Sequence, residues 1–376
     1  MITVGRCVAI GVLTAAPVAL TGQQQMEVRT SALFESYSFD AGLPFEKISE
    51  FTIPVTITYQ LGKLGNVALS SGYASVSLTS SDPTRLANQT VSGALDTEAR
   101  LTLNVVPGRL VALMTGAFPT GTKTVESEEL SILGVISSDV IGFSTSSLGT
   151  GGNLGGGFAG AVPFGRMAVG FGATFSKPLE YRPVLGQVDD LRPGSDFRLR
   201  TGIEGPIARR TYVRVTGIYA RRAKDQINGS SQNGVGNRFI GYASVNHGLG
   251  SSALTLYAFD VYRGDPQIEQ TAAGAAILPK GNLIGLGAQL SIPLGFRTSV
   301  VPQLEFRNSA AAPDTVTTSL QRLGRSLRVG VDFRRPVTER LALVLHADGL
   351  TGSVRLSGSD VGITGLRASA RMELVR

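Results

Sequence analysis

The chain has almost no material for redox or metal chemistry. Its one cysteine, Cys7, lies inside the first apolar run, and its only histidines are His247 and His346. A mature protein without Cys7 has no disulfide and no thiolate, and two isolated histidines do not make a zinc site. We therefore expect no metal and no cofactor. Charged residues are only 17% of the chain, too few for ordinary surface helices laced with Lys and Glu. Beyond the leader no stretch of 18 uninterrupted apolar residues occurs, which excludes a helical membrane protein. Tryptophan is absent, so an interfacial aromatic belt must use Tyr and Phe, with Tyr59, Tyr73, Tyr219, Tyr257 and Phe306 as its candidates.

What the chain does have is 47 glycines, 42% hydrophobic residues and a net charge of +7, or +6 once Arg6 leaves with the leader. The positive excess is arginine spread singly, without a basic run or neighbouring stacking aromatics. Nucleic acid is therefore not an expected partner. Residues 1–22 read as a signal peptide: Arg6 supplies the positive start, Cys7 to Leu20 the apolar run, and Thr21 and Gly22 the small residues before cleavage at Gln23.

From Met26 onward the hydrophobic pattern has period two, in runs of about ten residues, the length of a tilted strand crossing a bilayer. In the last run Leu366, Ala368, Ala370, Met372 and Leu374 fall on one face, and Arg367, Ser369, Arg371 and Glu373 on the other. The spacing predicts about sixteen strands, with fourteen or eighteen also compatible. They fall near 26–39, 51–61, 65–80, 94–106, 109–118, 152–163, 166–177, 195–205, 209–221, 237–247, 252–263, 281–292, 296–307, 325–335, 340–349 and 363–375. A soluble sandwich would alternate too, but the connections decide against it. Short turns such as Pro107-Gly108 and Phe164-Gly165 alternate with long polar segments at 81–93, 119–151, 178–194, 222–236, 264–280, 308–324 and 350–362. One end with tight turns and one with long loops is the layout of a transmembrane antiparallel up-and-down β-barrel. The domain reading is a signal peptide at 1–22 and one barrel at 23–376 with a long inserted loop at 119–151.

With this leader, this strand and loop pattern and this long fifth connection, the chain resembles bacterial outer-membrane porins and porin-like transporters. Gly116-Ala-Phe-Pro-Thr-Gly121, Gly142-Phe143 and the Gly149 to Gly157 run are also similar to outer-membrane transporters of fatty acids and aromatic hydrocarbons. The resemblance implies a cell outer-membrane location, contact with outer-membrane lipid, help from the barrel-assembly machinery, a homotrimer as a compatible assembly, and a loop 119–151 folded into the lumen. One departure is the ending, Leu-Val-Arg376 in place of an aromatic residue.

If the apolar face of each strand meets lipid, the ionisable residues turn inward, because charge on the lipid face is costly near the midplane. This assigns Arg29, Arg100, Arg198, Arg200, Arg214, Arg297, Arg328, Arg334, Arg367 and Arg371 to the lumen, with Glu35, Glu98, Glu204, Glu305, Asp332, Asp348 and Glu373. Fixed arginines in a pore set a barrier that favours small polar or anionic solutes. The competing reading is that these residues pair with one another and only keep a wet interior folded. In the inserted loop, 124–140 reads as a short helix capped by Thr124, with Glu126, Glu128 and Glu129 in its first turns and Leu130, Leu133 and Ile136 along one side. Its carboxylates would face the arginine wall, or the loop would pack over the rim.

Gly155-Gly-Gly157-Phe-Ala-Gly160 matches a dinucleotide fingerprint, but Ala161 to Gly165 directly after it read as a strand end and a turn, with no helix to receive a pyrophosphate. His346 and Asp348 share a strand face with Ser369 on a neighbouring strand, and that spacing does not suit a catalytic triad. No catalytic residue is assigned. Two functions remain: a diffusion channel, and a transporter of hydrophobic compounds with a plugged lumen. An outer-membrane enzyme is the third and weakest.

Overall fold

The computed structural model describes residues 26–82, 84, 86–136, 141–145, 147–269, 278–295, 297–312, 319–339, 341–356 and 359–374. The expected signal peptide at 1–22 lies outside them. The wall is built of β1 Met26–Phe39, β2 Phe45–Gln60, β3 Gly65–Ser80, β4 in two segments (Gln89–Ala94 and Thr97–Val106), β5 Leu110–Phe118, β6 Asn153–Phe164, β7 Met167–Pro178 and β8 Asp196–Ala208. It continues through β9 Thr211–Arg222, β10 Arg238–Leu249, β11 Ser252–Arg263, β12 Gly281–Gly295, β13 Thr298–Ala311, β14 Gln321–Pro336, β15 Leu341–Leu356 and β16 Ser359–Leu374. Each strand pairs antiparallel with the next, and β16 returns to pair with β1, from Thr30 opposite Met372 to Phe39 opposite Ile363. The result is a closed antiparallel barrel of sixteen strands.

All sixteen expected runs are wall strands, and β1, β3 and β11 have the expected boundaries. The larger differences lie at the end with the long connections, while β8 and β12 run three residues further at the turn end, to Ala208 and Gly295. The expected loop 350–362 is largely strand: β15 runs to Leu356 and β16 starts at Ser359. Likewise β2 begins at Phe45 rather than 51, and β13 and β14 shorten the connection expected at 308–324. These extensions mix polar and charged residues into both faces, so their composition reads as loop although the ladder continues.

The remaining connections at this end are tied together. Segments Leu191–Arg192, Gln226–Ile227 and Ser230–Ser231 form a small antiparallel sheet that links two of them. Val125 of the inserted loop joins in, donating its N–H to Pro183 and accepting from Leu185. Tyr181 lies among these segments, and burial raises the pKa of its phenol.

The inserted loop between β5 and β6 carries helix α1, Leu130–Ile136, preceded by a 3-10 turn at Ser127–Glu129. The helical stretch thus starts later than the expected 124. Its cap is a reciprocal pair in which Glu126 N–H donates to the Glu129 carboxylate at 2.9 Å, while the Glu126 side chain accepts from the backbone of Glu129. Thr124, expected as the cap, donates instead to the Arg182 carbonyl at 2.7 Å. Residues 137–140 of the expected helix lie outside the described residues.

Candidate functional site: the lumen and its inserted loop

Directly opposed residues on paired strands share a face, so the registers assign every wall residue to one side of the barrel. One continuous set runs Glu35, Glu50, Val76, then by way of Ala68 to Arg100, Thr115, Gly155, Ser176, Asp196, Arg222 and round to Glu305, Arg328, Asp348 and Arg367. The opposite set holds Phe34, Ile57, Tyr73, Met114, Phe171, Leu199, Val245, Leu286, Phe306 and Leu345, all exposed. Charges on this outer face, such as Lys47, Asp260 and Arg325, sit toward the loop-side ends of their strands. An edge-free ring that exposes an unbroken apolar band satisfies all its backbone hydrogen bonds within hydrocarbon, and no soluble fold exposes such a surface.

The chain is a transmembrane β-barrel.

The lumen of this barrel is divided in two. In one half, the inserted loop packs against the inner faces of β1 to β3 and β15 to β16. Ile132, Ile136, Ile141, Phe143 and Leu148 of the loop join Tyr37, Phe39, Ile48, Val76, Leu78 and Ile363 of the wall in one buried cluster. Phe143 meets Tyr37 edge to face at 5.0 Å. Polar latches fix the loop beside this cluster. Glu35 accepts from the Ser144 backbone N–H at 3.0 Å and its hydroxyl at 3.1 Å, and Glu50 accepts from the Thr145 N–H at 3.1 Å. Both glutamates are about as buried as any residue in the barrel, at 0% and 1% exposure.

Asp96, in the break between the two segments of β4, clips both stems of the loop. One of its oxygens accepts from Gly121 N–H at 3.0 Å, and the other accepts from the N–H and hydroxyl of Thr150 at 2.7 and 2.9 Å. The loop therefore enters the lumen and is held at its base and along its length.

An ion-pair lattice lies behind the latches. Arg367 bridges Asp348 at 2.6 Å and Glu35 at 3.7 Å, and Arg328, only 7% exposed, lies 3.6 Å from Asp348 and donates to the Tyr37 hydroxyl. Asp332 and Asp348 accept from the two ring nitrogens of His346 at 2.5 and 2.6 Å. With both nitrogens held against carboxylates, His346 makes no hydrogen bond to Ser369, its neighbour in register, among the described residues.

Across the lumen, the inner face of β4 to β9 carries hollows lined by wall residues alone. Of the arginines assigned inward from the sequence, Arg100, Arg198, Arg200, Arg214, Arg328, Arg334, Arg367 and Arg371 stand on the inner face, as does Arg29, which pairs with Glu27. Arg198 pairs with Asp196, Arg214 with Glu204, and Arg334 and Arg371 with Glu373. Arg100 and Arg200 have no carboxylate partner among the described residues.

A cavity of about 310 Å³ brings Arg100, Arg198 and Arg200 together with Thr115, Thr174, Ser176 and Asp196. A second hollow, about 300 Å³, adjoins it over a floor of Ala159, Ala161, Ala168, Gly170, Gly172 and Gly202. Glycine is required in this wall: a Cβ on Gly157 would lie 2.1 Å from the Ala173 carbonyl oxygen. The Gly155 to Gly160 run is thus mid-strand, serving close approach of a neighbouring strand.

Three expectations need correction. Arg297 is not on the wall; it sits in the turn between β12 and β13 with φ 59°. Tyr257 points inward, where it lies opposite Gly287 and donates to Glu305 at 2.8 Å, whereas Tyr59, Tyr73, Tyr219 and Phe306 do lie on the outer face. Both faces of β11 are largely apolar, so its parity was unreadable from sequence. Finally, the carboxylates of Glu126 and Glu129 close the start of the helical stretch; Glu128 is exposed in the same turn.

Several inward residues escaped the sequence reading although the parity of their strands carries them, among them Asp196, Arg238, Arg263 and Arg307. Arg307 pairs with Glu305 at 2.7 Å and lies over the Phe259 ring at 5.7 Å. Asp96 carried no signal, because its role depends on a loop that returns to it 25 and 54 residues later.

No protein-family model matches the sequence, and no curated protein matches it. Solved structures with a similar trace include OprB of Pseudomonas putida, at TM-score 0.48 and 9% identity over 93% of this chain and 94% of that one. OpdQ of Pseudomonas aeruginosa is similar at TM-score 0.45 and 10% identity, over 93% and 99%. A bacterial polysaccharide outer-membrane secretin gives TM-score 0.48 and 9% identity, over 92% and 98%. The barrel assignment rests on the strand registers and the apolar outer band, independent of these distant likenesses.

Proposed function

We propose that the barrel is a porin-like channel through which small polar and anionic solutes diffuse. The observation that carries this reading is the division of the lumen. A sixteen-stranded barrel is wide enough to enclose an aqueous path, the inserted loop narrows it from one side, and Arg100 and Arg200 stand on the other without carboxylate partners among the described residues. Loop 119–151 sets the width and the arginines set the charge preference.

The alternative, a transporter of hydrophobic compounds, would use an apolar cavity inside the barrel. The apolar cluster beside the inserted loop is filled by the loop's own Ile132, Ile136 and Phe143, and the hollows along β4 to β9 carry Arg100, Arg198 and Arg200, which favours the channel. The engaged ring of His346 likewise favours a supporting role over hydrolysis. In this reading residues 1–22 are removed on export, 23–376 form the barrel, bilayer lipid covers the outer band, and the barrel-assembly machinery inserts it. A homotrimer would bury part of the outer band.

Planar-bilayer recording on the purified barrel tests the proposal. A KCl gradient should give discrete conductance steps and a reversal potential on the anion side. The Arg100→Gln/Arg200→Gln double variant should conduct with that preference reduced. A barrel that inserts without conducting overturns the channel reading.

A further inference from the structure

We infer that the open half of the lumen is a binding site for an organic carboxylate with a flat apolar body. The inference rests on the channel reading and names the solute class that would use the path. Its polar end is the cavity holding Arg100 on β4 and Arg198 and Arg200 on β8. Between these strands the inner face offers Leu113 and otherwise short side chains: Thr115, then Gly155 and Gly157, then Thr174 and Ser176. Four strand spacings of about 4.8 Å separate β4 from β8 along the wall. Two guanidinium groups reaching inward from its ends therefore leave a gap between them, with hydroxyls beneath.

Arg198 is already engaged by Asp196 at 2.6 Å. The uncompensated charge belongs to Arg100 and Arg200, and Asp196 stands as a repulsive neighbour that narrows where an anion can sit. A planar carboxylate matches the forked guanidinium in two parallel hydrogen bonds.

The less polar end is the adjoining hollow, which shares Leu113, Thr174, Arg198 and Arg200 with the first and also has the Arg214–Glu204 ion pair in its lining. Its floor of Ala159, Ala161, Ala168, Gly170, Gly172 and Gly202 presents nothing larger than a methyl group. A surface this flat and apolar gains nothing from a hydrated inorganic anion, but it buries the face of a ring or short hydrocarbon body joined to the carboxylate. The two ends lie side by side on one wall, so one molecule spans both.

The floor can be tested apart from the charges. A Cβ on Gly172 would lie 2.9 Å from the Phe158 carbonyl oxygen, but one on Gly170 meets nothing nearer than the Gly160 oxygen at 3.8 Å. Gly170→Leu therefore fills the floor without straining the wall, and Ala168→Leu does so from the adjacent pleat should Gly170→Leu fail to fold.

Titration calorimetry on the full barrel in detergent, at fixed ionic strength, would use benzoate, acetate and inorganic phosphate as probes. Benzoate should bind at least about tenfold more tightly than acetate, the difference being buried ring surface. Arg200→Gln should weaken benzoate by about tenfold or more, through loss of a charged hydrogen-bond partner. Gly170→Leu or Ala168→Leu should lower the ratio of benzoate to phosphate affinity by about tenfold. Equal binding of benzoate and acetate, phosphate binding tighter than benzoate, or an unchanged ratio in both floor variants would overturn the inference while leaving the channel intact. Absence of KCl conductance would overturn the channel, and the calorimetry would still report on the site.

Discussion

Glu50 shows how much one side chain contributes when it is buried on the inner wall. It faces Glu35 across the β1–β2 register, two carboxylates side by side, and its Oε2 has no hydrogen-bond partner among the described residues while Oε1 serves Thr145 and Thr52. Like charges directly opposed on a sheet oppose pairing, whereas an unsatisfied buried N–H costs about 1–3 kcal/mol. The two effects separate by substitution. Glu50→Gln keeps an acceptor for Thr145 and removes the charge, so this variant should be at least as heat-resistant as the parent. Glu50→Ala leaves Thr145 unanswered and should lose about 1–3 kcal/mol, read from the temperature of the mobility shift on gels. If both variants behave alike, the latch carries no stability. The glutamate itself was placed by neither parity nor motif in the sequence, because the 45–50 segment looked like loop. Its value comes from a partner 95 residues away.

At the scale of elements, the inserted loop behaves as a third wall inside the barrel, pinned at its base by Asp96 and at its far side by Glu35 and Glu50. Asp96→Ala removes the acceptor for both stems, and single-channel traces should become noisier with the mean current little changed. Excising residues 123–149 and joining the stems should raise conductance severalfold by opening the occupied half. A current unchanged by the excision would show that the loop does not define the path.

The strands were legible because period two is a contrast between lipid and water, and that contrast is strong along the bilayer. Beyond the bilayer both faces are wet, the contrast fades, and Ser353 to Gly362 reads as loop although its ladder runs through Val354 opposite Val361. The path of 119–151 was illegible for another reason. Its Ile132, Ile136 and Phe143 are apolar enough for a surface helix or an inner plug alike, and only Tyr37, Phe39 and Ile48, far away in sequence, decide between them.

At the scale of the whole molecule, the chain's net charge of +7 says little about the lumen, because most inward arginines are neutralised locally. Selectivity should track the partnerless pair, Arg100 and Arg200, and weaken as ionic strength rises. The screening length shortens from about 10 Å at 0.1 M salt to about 3 Å at 1 M. Reversal potentials measured at both strengths in the parent and in Arg371→Gln provide the check. Arg371, held by Glu373 at 2.9 Å, should matter far less than Arg200. An equal effect from the two would mean that total charge, rather than the unpaired sites, sets the preference.

The pairing of β16 with β1 also governs how the molecule comes into being. Thr30 meets Met372, so the contact that completes the ring joins the first and last strands of the wall, and no fragment lacking β16 can make it. Until the final strand arrives, the growing sheet carries two unpaired edges, each a template for another chain. Contacts of such long sequence separation are slow to form. Assembly is therefore a race between closure and aggregation, and a membrane that shelters the open edges decides the yield.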